Sequence, residues 1–170
     1  MEGGGDGNIR PSTISIDTVQ NDIVLHMVPE VWRHLGPGYQ ETAYEAALGI
    51  EISSAGYIVR HQEHVAHMYK GICVQDGRMD ICVYDPANKA RLLVIEVKIS
   101  KGSPHAAPKE KVAALNQIRR YLRSTGTRNG IVVIFQQDGE REGASSSSRQ
   151  EDSAASPTCI KVAVDLDLDT

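Results

Sequence analysis

Cysteine is scarce in this 170-residue chain, and the three present build no framework. Cys73, Cys82 and Cys159 form no CxxC pair and no zinc-like spacing, and their odd number argues against a set of disulfides. We read them as reduced core thiols, and the chain accordingly as intracellular, in cytoplasm or nucleus, and not secreted. No apolar run reaches membrane-spanning length, and the acidic, glycine-rich start from Met1 to Gly7 lacks the charged-then-apolar order of a secretory signal. No membrane partner is expected. Internal repeats are missing too, and the length leaves no room for a second domain, although 41% hydrophobic content is enough for one real core. Nor is there an overall excess of positive charge: the net value of −4 argues against indiscriminate binding to nucleic acid.

What charge there is lies unevenly. Residues 98–128 carry eight Lys/Arg against one acid, whereas 1–97 hold seven against thirteen and 129–170 three against eight. The positive field begins where the most informative stretch ends. Arg91-Leu92-Leu93-Val94-Ile95-Glu96-Val97-Lys98 is an apolar run too short for a helix, so it reads as a buried strand finishing in charge. Alternate strand residues share a face, so Glu96 and Lys98 emerge together and Val97 opposes them. Met79-Asp80-Ile81-Cys82-Val83-Tyr84 is a second strand, joined to the first through the turn Asp85 to Asn88, and this hairpin brings Asp80 beside Glu96. Two carboxylates and a lysine at neighbouring strand ends suit divalent-metal chemistry on phosphate, because Mg²⁺ takes oxygen ligands and keeps several waters. The lysine can hold or deprotonate the attacking water and offset transition-state charge. The plainer alternative is a surface hairpin with an i,i+2 ion pair.

Taken in order, residues 1–13 read as a disordered tail and 14–136 as one domain. Ile16, Val19, Ile23, Met27, Val31 and Trp32 recur at helical spacing behind a Ser15 cap, up to Gly36-Pro37-Gly38. A second helix runs from about Tyr39 to Ser54, with Ala43, Ala47 and Ile50 inward. An extended segment from Tyr57 to Tyr69 turns at Lys70-Gly71 towards the Asp80 strand. Pro108 opens a third helix ending near Ser124, with Val112, Leu115, Ile118 and Leu122 on its apolar face and a basic face opposite. Ile131 to Phe135 is a buried strand. Residues 137–157 read as a disordered Ser-rich loop, and 158–170 as an edge strand of the same domain, Ile160 to Leu166, with a short tail.

On this α/β order, αα-βββ-α-β with a central mixed sheet flanked by helices, the remaining motifs become readable. Gly38-Tyr39-Gln40-Glu41-Thr42-Ala43-Tyr44 resembles the signature of the GxxExxY proteins, a branch of the PD-(D/E)XK nuclease superfamily. Tyr69-Lys70-Gly71, Asp80, Glu96-Val97-Lys98 and Gln117-Ile118-Arg119-Arg120-Tyr121 resemble that family's later landmarks, the last being the Q-xxx-Y of RecB-like members. The resemblance implies Asp80 and Glu96 as Mg²⁺ ligands through their side chains, with Mn²⁺ as a substitute. It adds the carbonyl of Val97 as a further ligand, Glu41 as ligand to the metal or its water, and Lys98 as the group that activates water. Gln117 and Tyr121, four apart on one helix face, would reach the phosphate or the lysine. Lys109, Lys111, Arg119, Arg120 and Arg123 would hold a nucleic-acid backbone, DNA first. His61, His64 and His67 are set aside as a metal site, since strand alternation turns His64 away from the other two.

The leading expectation is therefore a metal-dependent phosphodiesterase acting on nucleic acid through metal-activated water. A catalytically inactive binding or interaction module on the same fold is the alternative. A small-molecule metallohydrolase would demand a closed pocket in place of a basic helix.

Overall fold

A proline shapes the first element. In the computed structural model, which describes residues 14–101, 108–137 and 156–166, helix α1 (Ile16–Asp22) passes through a π-helical turn, Ile23–Met27, into α2 (Val28–Leu35). Pro29 has no N–H to give and its ring would strike the carbonyl four residues back, so the helix widens in front of it. The single unbroken helix read from the sequence thus contains one loosened turn. Ser15 holds the N-cap position in extended backbone, but its side chain makes no cap hydrogen bond. Gly36, at φ +62°, ends α2 and donates its N–H to the Trp32 carbonyl at 2.8 Å.

Helix α3 (Glu41–Ser54) buries Tyr44, Glu45, Leu48, Gly49 and Ile52. Ile50, expected inward, is 64% exposed. It stands two residues from Leu48 and two from Ile52, about 200° around a helix from the first, so the Tyr44-Leu48-Ile52 stripe decides which side is buried. Helix α4 (Pro108–Thr125) likewise turns Ala114, Ile118, Tyr121 and Leu122 inward and leaves Val112 54% exposed, against expectation. Six residues separate Val112 from Ile118, which puts it about 120° off the buried stripe.

The strands β1 (Ile58–Tyr69), β2 (Ile72–Tyr84), β3 (Arg91–Ser100), β4 (Asn129–Gln136) and β5 (Thr158–Ala163) form one five-stranded sheet in sequential order. β5 is the edge strand expected, three residues shorter at its end. Lys70 and Gly71, at φ +49° and +81°, make the two-residue turn between β1 and β2. In the β2–β3 turn, Asp85 Oδ1 accepts from the Ala87 N–H and Asn88 Oδ1 from the Ala90 N–H, both at 2.8 Å. Helix α4 carries the chain across to β4, which runs parallel to β3, so the sheet is mixed as expected.

One core fills the face under α1–α3, with Ile81, Val83, Leu93, Ile95, Val97, Val133 and Phe135 from the strands. Another fills the α4 face, with Met79, Cys82, Val94, Val132 and Ile134. All three thiols are free, but only Cys82 is buried; Cys159 is half-buried and Cys73 exposed, so Cys73 is not the core thiol expected. It lies on the part of β2 that extends past the rest of the sheet.

One contact ties the start of α3 to β4. Tyr44 stacks on Phe135 with centroids 4.3 Å apart, gives its hydroxyl proton to the Gly36 carbonyl at 2.7 Å, and accepts from the Gln137 amide at 3.0 Å. Both rings are fully buried. Phe135→Ala is expected to cost about 3–5 kcal/mol, measured by urea denaturation; a loss well below 1 kcal/mol would show that the stack does not anchor the helix.

Candidate active site

The site begins where two strands part. β2 pairs with β3 only from Ile81↔Ile95 to Tyr84↔Arg91. Past Ile81, β2 keeps β1 alone as partner, and past Ile95, β3 keeps β4 alone. Neighbouring strand residues direct their N–H groups to opposite sides, so those of Val97 and Ile99 face the opened gap. Side chains receive them. Asp80 Oδ2 accepts from Val97 at 2.9 Å, and Glu41 Oε2, from the first turn of α3, accepts from Ile99 at 3.3 Å. The carboxylates finish the ladder that the absent strand would have finished.

Lys98 reaches into the same gap. Its Nζ lies 2.6 Å from Glu96 Oε1, 3.1 Å from Glu41 Oε1 and 3.9 Å from Asp80 Oδ2. The structure thus brings together Glu41, Asp80, Glu96 and Lys98, four of the residues singled out from the sequence, from three separate elements.

Glu96 is the most constrained of them. It is wholly buried, its contact with Lys98 lacks the alignment of a hydrogen bond, and neither carboxylate oxygen has a hydrogen-bond partner among the described residues. Burial, and after it the negative charge of Asp80, push its pKa up to about 7, with Lys98 offsetting part of the rise. Burial by itself would pull the Lys98 ammonium down, but Glu96, then Asp80 and Glu41, outweigh it and hold it above the usual lysine range.

Such a site fits a hard divalent cation. Its donors are carboxylate oxygens, two of them orphaned in the interior, and the Val97 carbonyl faces the gap on the same side as its N–H. Among the described residues no three His, Cys, Asp or Glu side chains close around a metal by themselves. A cation here would complete its shell with water and substrate oxygens, as Mg²⁺ does.

The family model described as the PD-(D/E)XK nuclease superfamily matches residues 18–145. The chain belongs to that superfamily. Its members are generally nucleases and use divalent metals, typically Mg²⁺. Among solved structures, one titled "Crystal structure of SSO0001" aligns at 15% identity and a TM-score of 0.42, covering 87% of this chain and 74% of its own. A search of curated proteins finds no match.

Within this PD-(D/E)XK domain α4 packs against β1, β3 and β4. Gln117 donates to the Tyr121 hydroxyl at 3.0 Å, and Tyr121 stacks on His67 at 5.8 Å. Its ring lies over Gly77, where an added Cβ would sit 2.9 Å from Cε1. Among the described residues no hydrogen bond joins Gln117 or Tyr121 to Asp80, Glu96 or Lys98, and Tyr121 packs on the β1–β2 hairpin. Lys109, Lys111, Arg119, Arg120 and Arg123 are all exposed. At 100° per residue, Lys109, Arg120 and Arg123 share one stripe with Arg119 beside it, and Lys111 lies across the helix.

The three histidines go three ways: His61 to Glu45, His64 to Asp76, and His67 to Ser124. Two residues beside the gap had no role in the sequence reading. Glu45, one turn after Glu41, is buried, and the Gln62 amide bridges it to Asp80. The i,i+4 spacing of the two glutamates was the available signal, but composition does not separate a buried helical glutamate from a solvated one.

Because the folded-state pKa of Glu96 is raised, its contribution to stability is whole below the ordinary carboxylate value of 4.5 and is lost as pH rises through about 7. In EDTA, Glu96→Gln is therefore expected to gain on the wild type in denaturation midpoint as pH climbs over that window. Parallel pH profiles for the two proteins would contradict the burial-driven shift.

Proposed function

We propose that this PD-(D/E)XK domain is a divalent-metal-dependent nuclease that hydrolyses phosphodiester bonds in nucleic acid, with DNA as the first substrate class. The observation that carries the reading is the convergence of Glu41, Asp80 and Glu96 on the Lys98 ammonium in a gap the sheet leaves open. Glu41 belongs to the Gly38-to-Tyr44 segment that resembles the GxxExxY signature, which supports placing the chain in that branch.

Asp80 and Glu96 would hold the cation, with the Val97 carbonyl as a further oxygen and Glu41 on the metal or its water. When bound, Mg²⁺ lowers the pKa of a coordinated water and offsets charge on the phosphate. Lys98, held protonated by its three acidic neighbours, serves as donor and positive charge for the attacking water and the phosphate oxygens. The exposed basic residues of α4 support backbone binding, which releases counterions without reading bases.

Labelled single-stranded, duplex, flap and junction DNA and RNA, incubated with Mg²⁺ or Mn²⁺ and with EDTA, test the reading. Cleavage is expected with either ion and none with EDTA; binding without cleavage across the panel would favour an inactive module on the same fold. Lys98→Ala is expected to lower kcat by about 10²-fold or more while cation affinity stays near the wild-type value, because both metal carboxylates remain. Asp80→Asn is expected to weaken Mg²⁺ binding in calorimetry; unchanged affinity would move the metal elsewhere. Replacing Arg119 and Arg120 together by Ala is expected to reduce the slope of log affinity against log salt by about 2. An unaltered slope would place the nucleic acid on another surface.

A further inference from the structure

Gln62 is the residue that the nuclease reading leaves unexplained. Its backbone lies at φ +51°, a left-handed conformation that few non-glycine residues adopt. The β1–β2 ladder pairs His61 with Ile81 and Glu63 with Met79. Gln62 therefore steps out of the ladder directly across from Asp80. The left-handed backbone within β1 aims its side chain into the gap. Its Nε2 donates to Asp80 Oδ1 at 3.2 Å and to Glu45 Oε2 at 3.0 Å. Only the NH₂ end of the amide can serve here, because the carbonyl end would face two carboxylates.

Glu45 is shaped for the same task. It is 6% exposed, and its other oxygen, Oε1, lies 3.1 Å from His61 Nδ1. One turn further along α3, Gly49 leaves space for that imidazole, since a Cβ there would stand 2.4 Å from the ring. Three successive turns of one helix stripe thus serve the gap: Glu41 holds Lys98 and Ile99, Glu45 holds Gln62 and His61, and Gly49 admits the ring. The consequence falls on Asp80. Its Oδ2 is fixed by the Val97 N–H and its Oδ1 by Gln62, so both oxygens are oriented before any ligand arrives.

We propose that Gln62 and Glu45 are positioning residues that present the Asp80 carboxylate to a divalent cation, with Gln62 in contact and Glu45 acting through it. The inference rests on Asp80 being a cation ligand. Hydrogen-bonded partners of ligating carboxylates orient them, and their loss costs about 10- to 100-fold in metal affinity or activity. A brace between α3 and β1 would place the same bonds but would not tie them to the cation.

The experiment titrates Mg²⁺, and separately Mn²⁺, into the full-length protein by calorimetry without nucleic acid, using the wild type, Gln62→Met, Gln62→Gly and Glu45→Gln. Gln62→Met keeps the length and loses the donor. Gln62→Gly loses the donor but relaxes the left-handed backbone, so a purely conformational role leaves binding intact or improved in that variant alone. Both Gln62 variants are expected to raise the Kd about 10- to 100-fold, and Glu45→Gln, which keeps one acceptor oxygen, is expected to raise it less. The inference is overturned if both Gln62 variants bind within about twofold of the wild type, or if only Gln62→Met is impaired. A wild type that binds neither cation overturns it together with the metal reading. Cation binding that follows the expected order in a protein that cuts no nucleic acid supports the inference and removes the nuclease reading instead.

Discussion

Two backbone amides with no strand to receive them set the terms for the rest of this structure. A buried N–H without a partner costs free energy comparable to a lost hydrogen bond, so a sheet that forks must supply acceptors at the fork. Here the acceptors are carboxylates. Asp80 takes the Val97 amide and Glu41 the Ile99 amide. The ladder is thereby satisfied, and two negative charges are delivered to one point along with Glu96. Lys98 is the counter-charge that this arrangement needs.

The two ends of the β2–β3 pair show the contrast. At the closed end Arg91 bridges Glu63 and the Tyr84 hydroxyl, and the Arg60 guanidinium lies 4.8 Å from the Tyr84 ring centroid. Here ionic and aromatic groups clamp three strands together, with each carboxylate matched to its donors. At the open end the balance is deliberately incomplete. Glu96 keeps two buried oxygens without hydrogen bonds, and its burial, with the negative charge of Asp80, raises its proton affinity. An interior charge is costly unless it is paired, and the Lys98 ammonium 2.6 Å away supplies that pairing.

Helix α3 connects the two faces of the argument. Its apolar stripe, Tyr44, Leu48 and Ile52, packs into the core, while Glu41 and Glu45 on the adjoining stripe look at the fork. The Tyr44–Phe135 stack fixes the height of that helix over β4. Packing along one stripe of the helix therefore sets where the side chains of the adjoining stripe stand.

Much of this was legible in residue order alone. Short β-branched runs, turn residues at fixed offsets and helical spacing specify local structure, so the strands, the Asp80–Glu96 hairpin and the α4 crossover could be read directly. Asp80, Glu96 and Lys98 followed because their positions within those elements are local facts, whereas Glu41 came only from the resemblance of Gly38 to Tyr44 to a family signature. The positions of Ile50 and Val112 were not legible, since an apolar residue on a helix is inward only if a neighbour covers it. The partners of Gln117 and Tyr121 depended on where α4 crosses the β1–β2 hairpin. Glu45 and Gln62 were invisible for a further reason. Their roles arise from one left-handed residue of β1 meeting the second turn of α3, residues 17 apart in sequence and joined only by folding. Local spacing determines which side chains share a face, but only the packed chain decides what stands opposite them, because burial and hydrogen-bond partnership are properties of surfaces brought together by folding.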